Sequence, residues 1–288
     1  MSNGFIEVRV LDNFYQTSSF YPMPVILVTT ISESGKTNIG PYSLCFPFGI
    51  AEQHAMMLIS RSNSNTAENI RRTKKAMLNF IPYNKKLLKN AVRLGFPGQS
   101  AEEKLDDSIF TLIPSSQNEI NGPVPEIISE AVQVFECTWD DSDEVFYYNG
   151  TEDESHFLLR INRIIMKKDW YNALVEGNGK FPSLPIDYGY RDSQFFWFSE
   201  HSRPYKEPLP KGKGTDLGTV RYIANRIDPE VKWPDESCEK VVAIPRVFLK
   251  KALTMIIAEA KKRGVTTITP EILDDIRDKR NKEKKLTN

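Results

Sequence analysis

The chain has 288 residues, and 38 Lys plus Arg stand against 38 Asp plus Glu. This balance supplies no net field to draw the protein to nucleic acid, an anionic membrane or a strongly acidic substrate, so a neutral partner or a small ligand is expected. The length allows one large domain or a main domain with an appendage.

Residues 1–10 mix polar and charged side chains without the basic-then-apolar order of a signal peptide. No apolar run approaches the roughly 20 residues that span a bilayer, so a cytoplasmic location without a membrane partner is expected. Cys45, Cys137 and Cys238 are far apart, odd in number and form no CxxC pair, which predicts reduced thiols and neither a disulfide framework nor a zinc site.

The β-branched run Pro24 to Thr30 predicts a strand, and Ser34-Gly35 predicts the turn that follows it. An extended segment from Lys36 to Phe48 and an apolar strand over Ala55 to Ser60 come next. A helix over residues 66–73 is predicted, with Asn65 or Thr66 as its N-cap. Ala76 to Pro82 reads as strand, and Leu87, Leu88, Ala91 and Val92 mark one face of a second helix. Gly, Pro, Ser and Asn between Phe96 and Pro125 predict surface loop.

Strands return with Val132, Val134 and Phe135 leading into Cys137-Thr138-Trp139, with Val145 to Tyr148 before an Asn149-Gly150 turn, and with Phe157 to Met166. Asp140 to Glu144 lacks calcium-loop spacing and its Gly, so it reads as a solvated turn with no metal. Five prolines and three glycines between residues 200 and 240 predict an extended connector. Leu249, Leu253, Ile256, Ile257 and Ala260 then form one helical stripe that stops at Arg263-Gly264, and Thr269-Pro270-Glu271 restarts a helix.

Four segments in order resemble the flavin reductase-like, FMN-binding split-barrel family, which includes flavoredoxins and ferric reductases. They are Pro22-Met23-Pro24-Val25-Ile26-Leu27-Val28-Thr29-Thr30, Thr37 to Cys45, Ser60-Arg61 followed by Thr66-Ala67-Glu68-Asn69-Ile70, and Gly122-Pro123-Val124-Pro125-Glu126-Ile127 running to Glu136-Cys137. The resemblance spans residues 20–170. One departure is Ile50 to Ala55, where many relatives carry adjacent prolines; His54 in that stretch reads as a surface or hydrogen-bonded residue.

The fold class so implied is α+β, mainly β: a split barrel over residues 1–200, a Pro/Gly-rich linker over 201–240 and a helical hairpin domain over 241–288. By the same resemblance Asn38, Tyr42, Ser43, Leu44 and Cys45 line the flavin ring, with Thr29 and Thr30 on the neighbouring strand. Ser60, Arg61, Asn65, Thr66 and Asn69 are the candidates for the phosphate and ribityl chain. A helix N-terminus beside a hydroxyl and a guanidinium is a physically sound place for the phosphate dianion of FMN. Taken singly, Thr66 also reads as a plain helix cap, Asn38 as turn chemistry and Arg61 as a surface charge.

The resemblance further implies a homodimer, non-covalent FMN, and NAD(P)H as reductant, with electrons passing to a small molecule or a protein. The alternative is an electron carrier that a partner protein reduces. No catalytic side chain is named. The aromatic stretch Asp187 to Phe198 reads either as a cover for the flavin or as a strand closing the barrel or a dimer seam. Ile244 to Ile272 resembles the small helical domain at the end of light-independent protochlorophyllide reductase B subunits, which implies a packing or interaction module.

Overall fold

The computed structural model describes residues 4–48, 54–96, 98–115, 122–142, 151–176, 180–190, 194–205, 207 and 216–286, with side chains through residue 279. The chain divides into two compact units, Met1–Pro204 and Tyr205–Asn288. In chain order the first contains α1 (Phe14–Thr17), β1 (Met23–Pro24), β2 (Ile26–Ile31), β3 (Thr37–Tyr42), β4 (Cys45–Phe48), β5 (Ala55–Arg61), α2 (Asn65–Thr73), β6 (Lys75–Phe80) and α3 (Lys85–Leu94). It continues with α4 (Ala101–Asp107), β7 (Leu112–Ile113), β8 (Ile127–Ile128), β9 (Gln133–Trp139), β10 (Glu154–Met166), α5 (Lys168–Glu176), β11 (Pro185–Tyr190) and β12 (Phe196–Glu200).

Seven antiparallel strands in the order β3-β2-β6-β9-β10-β5-β4 make one curled sheet, and β1, β11 and β12 make a smaller one. Every residue of β2 is buried, because both faces of that strand are covered. Alternation along a strand sends successive side chains to opposite faces. Ile26 and Val28 accordingly join one core with Cys45, Leu58, Ala67, Ile70, Leu78, Cys137 and Phe157, while Leu27 joins another with Ile39, Met77, Leu88, Ala91 and Leu94. Burial of each such Leu or Ile contributes about 1.5–3 kcal/mol. Helix α2 thus closes one face and α3 the other.

A buried amide ties the sheet's centre to β8. Asn79 donates to Leu27 O at 2.9 Å and to Thr29 Oγ1 at 3.3 Å, and its Oδ1 accepts from Ile128 N at 2.9 Å. Both ends of a fully buried amide are therefore satisfied, as the low dielectric of a core demands.

Three sequence expectations differ in detail. The N-cap of α2 is Ser64, whose hydroxyl accepts from Ala67 N, one residue before the predicted Asn65 and two before Thr66. The predicted loop over 96–125 contains α4, held by a reciprocal cap in which Ser100 accepts from Glu103 N and Glu103 accepts from Ser100 N. The aromatic stretch contributes β11 and β12 to the smaller sheet, with Asp187 buried but Phe195, Phe196 and Trp197 exposed, so its aromatic end is not core in the single chain. The predicted strand and turn at 145–150 lie outside the described residues.

The second unit holds α6 (Leu217–Ile227), α7 (Asp235–Val241), α8 (Arg246–Lys262) and α9 (Pro270–Leu286). Val220, Ala224, Trp233, Cys238, Leu249, Leu253, Ile257 and Ile268 share its core. Residues 217–241, expected as extended connector, are thus mostly helical and packed with the predicted hairpin helices. Their prolines stand outside the helices: Pro229 lies between α6 and α7, and Pro234 immediately precedes α7, where its missing N–H costs nothing. The predicted stop is present, since Gly264 has φ 70° and Val265 N reaches back to Ala260 O at 2.9 Å.

Strand β3 lies at one edge of the large sheet, and α2 sits close upon it. A Cβ placed on Gly40 would come 2.6 Å from Thr66 Oγ1 and 3.0 Å from Tyr42 Cε2, so only glycine permits this approach. Gly40→Ala is expected to lower stability by about 1–3 kcal/mol in urea titration, the usual cost of overpacking. Adding Thr66→Ala removes the obstructing oxygen and makes the pair less than additive. Strictly additive losses would mean that the methyl finds room without displacing α2.

Candidate functional site

Residues 38, 40 and 42 of β3 share the face toward α2, and they meet it in two polar layers. The inner layer is buried: Asn38 Nδ2 donates to Thr30 Oγ1 at 3.4 Å and to Thr66 Oγ1 at 3.3 Å, and Asn69 Nδ2 donates to Thr30 Oγ1 at 3.1 Å. Arg72 donates to Asn69 Oδ1 and to Ile31 O, which anchors the far turn of the helix. Asn38 is fully buried, yet its Oδ1 has no hydrogen-bond partner. An unpaired buried carbonyl costs about 1–3 kcal/mol.

The outer layer is a triangle of hydroxyls. Tyr42 OH lies 2.7 Å from Ser60 Oγ and 3.3 Å from Ser64 Oγ, and the two serines are 2.8 Å apart. Ser64 is the N-cap of α2, so the triangle sits where the first N–H groups of the helix and the positive end of its dipole emerge. Arg61, at the end of β5, is exposed and makes no ion pair among the described residues. Asn65 donates to Gln99 O at 2.9 Å, which fixes the first turn to the loop before α4. Arg71 pins the preceding loop by donating to Ser62 O and Ser155 Oγ.

Strands β3 and β4 are joined by residues 43 and 44. Ser43 donates to Asp187 Oδ2 of β11 at 2.5 Å, and Leu44 O accepts from Ile59 N at 2.9 Å. Asp187 is 4% exposed, and its other oxygen accepts from Gly189 N at 2.8 Å. Burial raises its carboxyl above the ordinary Asp value, and the two hydrogen bonds oppose that rise. The smaller sheet is thereby tied to the edge of the large one.

The predicted residues are therefore sorted by the structure. Thr30, Asn38, Thr66 and Asn69 form the inner layer, while Tyr42 and Ser60 form the outer one; Asn65 opens α2 next to it, and Arg61 meets it through its carbonyl, which accepts from Ser60 Oγ and Ser64 N. Thr29 is not brought to this cluster. It points to the opposite face of β2, where its hydroxyl donates to Glu126 O at 2.7 Å, because adjacent strand residues alternate. Cys45 is also turned away, into the core; burial pushes its thiol up to about 12, so it stays protonated at neutral pH.

Two participants were missed. Ser64 lacked the Glu three residues on that completes a capping box, the position being Ala67. Asp187 gave no local signal, since its partner Ser43 is 144 residues away.

A cavity of about 430 Å³ lined by Lys180, Phe181, Pro182, Ser183, Glu200, His201 and Arg203 lies at the end of the β11–β12 pair where Pro185 faces Glu200. No group of three His, Cys, Asp or Glu among the described residues could hold a metal ion.

No family model and no curated protein matches the sequence. Solved structures do. A flavoredoxin from Methanosarcina acetivorans matches with a TM-score of 0.53 at 17% identity, over 73% of this chain and 98% of that one. An FMN-binding protein from Thermus thermophilus matches with a TM-score of 0.51 at 16% identity, over 72% of this chain and 99% of that one. A flavin reductase with a split barrel domain from Shewanella frigidimarina gives a TM-score of 0.50 at 13% identity, over 66% of this chain and 87% of that one. At such identities the likeness is one of fold: the first unit is a split barrel, α+β and mainly β, of the kind these flavin-associated proteins share.

Proposed function

We propose that the N-terminus of α2, together with residues 42–45, holds FMN non-covalently. The observation that carries this reading is the Tyr42–Ser60–Ser64 hydroxyl triangle at the start of α2, with Arg61 next to Ser60 in sequence. A phosphate dianion needs several convergent donors and positive potential. Hydroxyls, free helix N–H groups and a guanidinium supply both. The fold shared with an FMN-binding protein and a flavoredoxin supports the same reading.

In this reading Ser60, Ser64 and Arg61 hold the phosphate, Asn65 and Thr66 fix the turn that presents the N–H groups, and the 42–45 segment lies along the ring. Bound FMN supplies two-electron redox chemistry, while the protein supplies binding, orientation and electrostatics. No side chain needs to act as acid or base, and the buried Cys45 thiol takes no part. A homodimer, a cytoplasmic location, NAD(P)H as reductant, and a small-molecule or protein acceptor complete the proposal. No described helix is long and apolar enough to cross a membrane.

A second reading, a carrier reduced by a partner protein, is favoured by the helical unit. It has its own core and exposes Val247 (82%) and Phe248 (62%) side by side on α8, a surface suited to docking. The Ile244 to Ile272 resemblance to a reductase end domain belongs to this reading as an interaction module.

Two measurements test these readings. Arg61→Ala is expected to weaken FMN about 10- to 100-fold and to leave riboflavin nearly unchanged, because only FMN brings the phosphate and a charged hydrogen bond contributes about 1.5–3 kcal/mol. Equal losses for both ligands would remove Arg61 from the phosphate role. Mixing the FMN-loaded protein anaerobically with NADH or NADPH is expected to bleach the flavin absorbance. Bleaching by neither would leave only the carrier reading.

A further inference from the structure

Asp187 sits in the middle of β11, paired with Met23 of β1 and Phe198 of β12. It is a buried carboxyl without an ion-pair partner among the described residues. Among the described residues, its neighbours include Met23 and Pro24, Phe198, Gly189 with the Gln16 side chain over it, and Tyr188 with Phe20 stacked on its ring at 4.1 Å. Its protonation is therefore governed by burial, the Ser43 hydroxyl and the Gly189 N–H, and burial acts to keep the neutral acid to higher pH than in an exposed Asp.

Ser43 has a single hydroxyl hydrogen. With Asp187 ionised, that hydrogen is given to the carboxylate, and Ser43 can offer only lone pairs elsewhere. With Asp187 neutral, the acid donates to Ser43 Oγ, and the serine hydrogen is released to a neighbour. One proton on a buried acid thus reverses the hydrogen-bonding character of a residue in the 42–45 segment.

We propose that Asp187 is a positioning residue that acts through Ser43 to set the electron affinity of a flavin ring held along residues 42–45. The proposal rests on the FMN reading of that segment. A neutral Asp187 lets Ser43 donate to a ring that gains electrons, which favours reduction. An ionised Asp187 withdraws that donor and places negative charge behind it, which disfavours reduction.

The test is the midpoint potential of FMN bound to the full-length protein, measured by dye equilibration from acid to alkaline pH in wild type, Asp187→Asn, Asp187→Glu and Ser43→Ala. At alkaline pH Asp187→Asn is expected to lie about 30 mV above wild type, which is tenfold in a two-electron equilibrium. The gap is expected to close as pH falls toward the ordinary carboxylate range. All variants keep the pH slope that proton uptake by a reduced flavin imposes; Asp187→Glu should also keep the extra wild-type shift on ionisation of residue 187, and Ser43→Ala should diminish that shift even if Asp187→Asn fails to fold. Bound FMN with the same potential in every variant at every pH would overturn the proposal while leaving the FMN reading intact. Wild-type protein that retains no FMN would instead overturn the reading, and the proposal with it.

Discussion

The close seat of α2 on β3 is the constraint from which the candidate site follows. Glycine at position 40 lets the helix approach until Thr66 Oγ1 occupies the space of a missing Cβ. That approach is what allows Asn38 to bridge Thr30 and Thr66, and what brings the Ser64 cap within reach of Tyr42 and Ser60. The inner layer fixes the helix in place and the outer layer presents its N-terminus. Neither layer is assembled from neighbours in sequence; strands β2, β3 and β5 each contribute, so the site depends on sheet register throughout.

Division of labour between these layers is electrostatic. Buried amides and hydroxyls hold one another without formal charge, which suits a low-dielectric interior where an unpaired ion costs far more than an unpaired hydroxyl. Charge appears only at the rim, with Arg61, where solvent compensates it. In the inner layer Asn38 Oδ1 is left without a partner, and beside the 42–45 segment the buried Asp187 carboxyl is hydrogen-bonded at both oxygens.

Much of the barrel was legible in the sequence because β-branched and apolar runs bounded by turn residues leave little alternative to strand. The run through Val25 to Thr30 and the helix of Leu88 and Ala91 are examples, and both are present. The pairing of segment 38–45 with 60–69 rested on resemblance, and the two do meet. Side-chain direction was less legible: Thr29 and Thr30 were grouped although a period of two separates them, and Cys45 faces inward. Composition misled between 217 and 240, where Pro229 and Pro234 outside the helices looked like a connector while Leu217, Val220, Ala224 and Ile227 already carried a helical stripe. The Ser43–Asp187 contact was invisible, since nothing local to either residue encodes a partner across most of the barrel unit.

A flavin-phosphate cradle at the start of α2 is tested most directly by the absorbance spectrum of purified full-length protein after incubation with FMN and removal of free ligand, with mass spectrometry of what denaturation releases. Retention of a flavin spectrum near one FMN per chain, with intact FMN released, is the predicted result. A colourless protein that leaves all added FMN in the small-molecule fraction would contradict it.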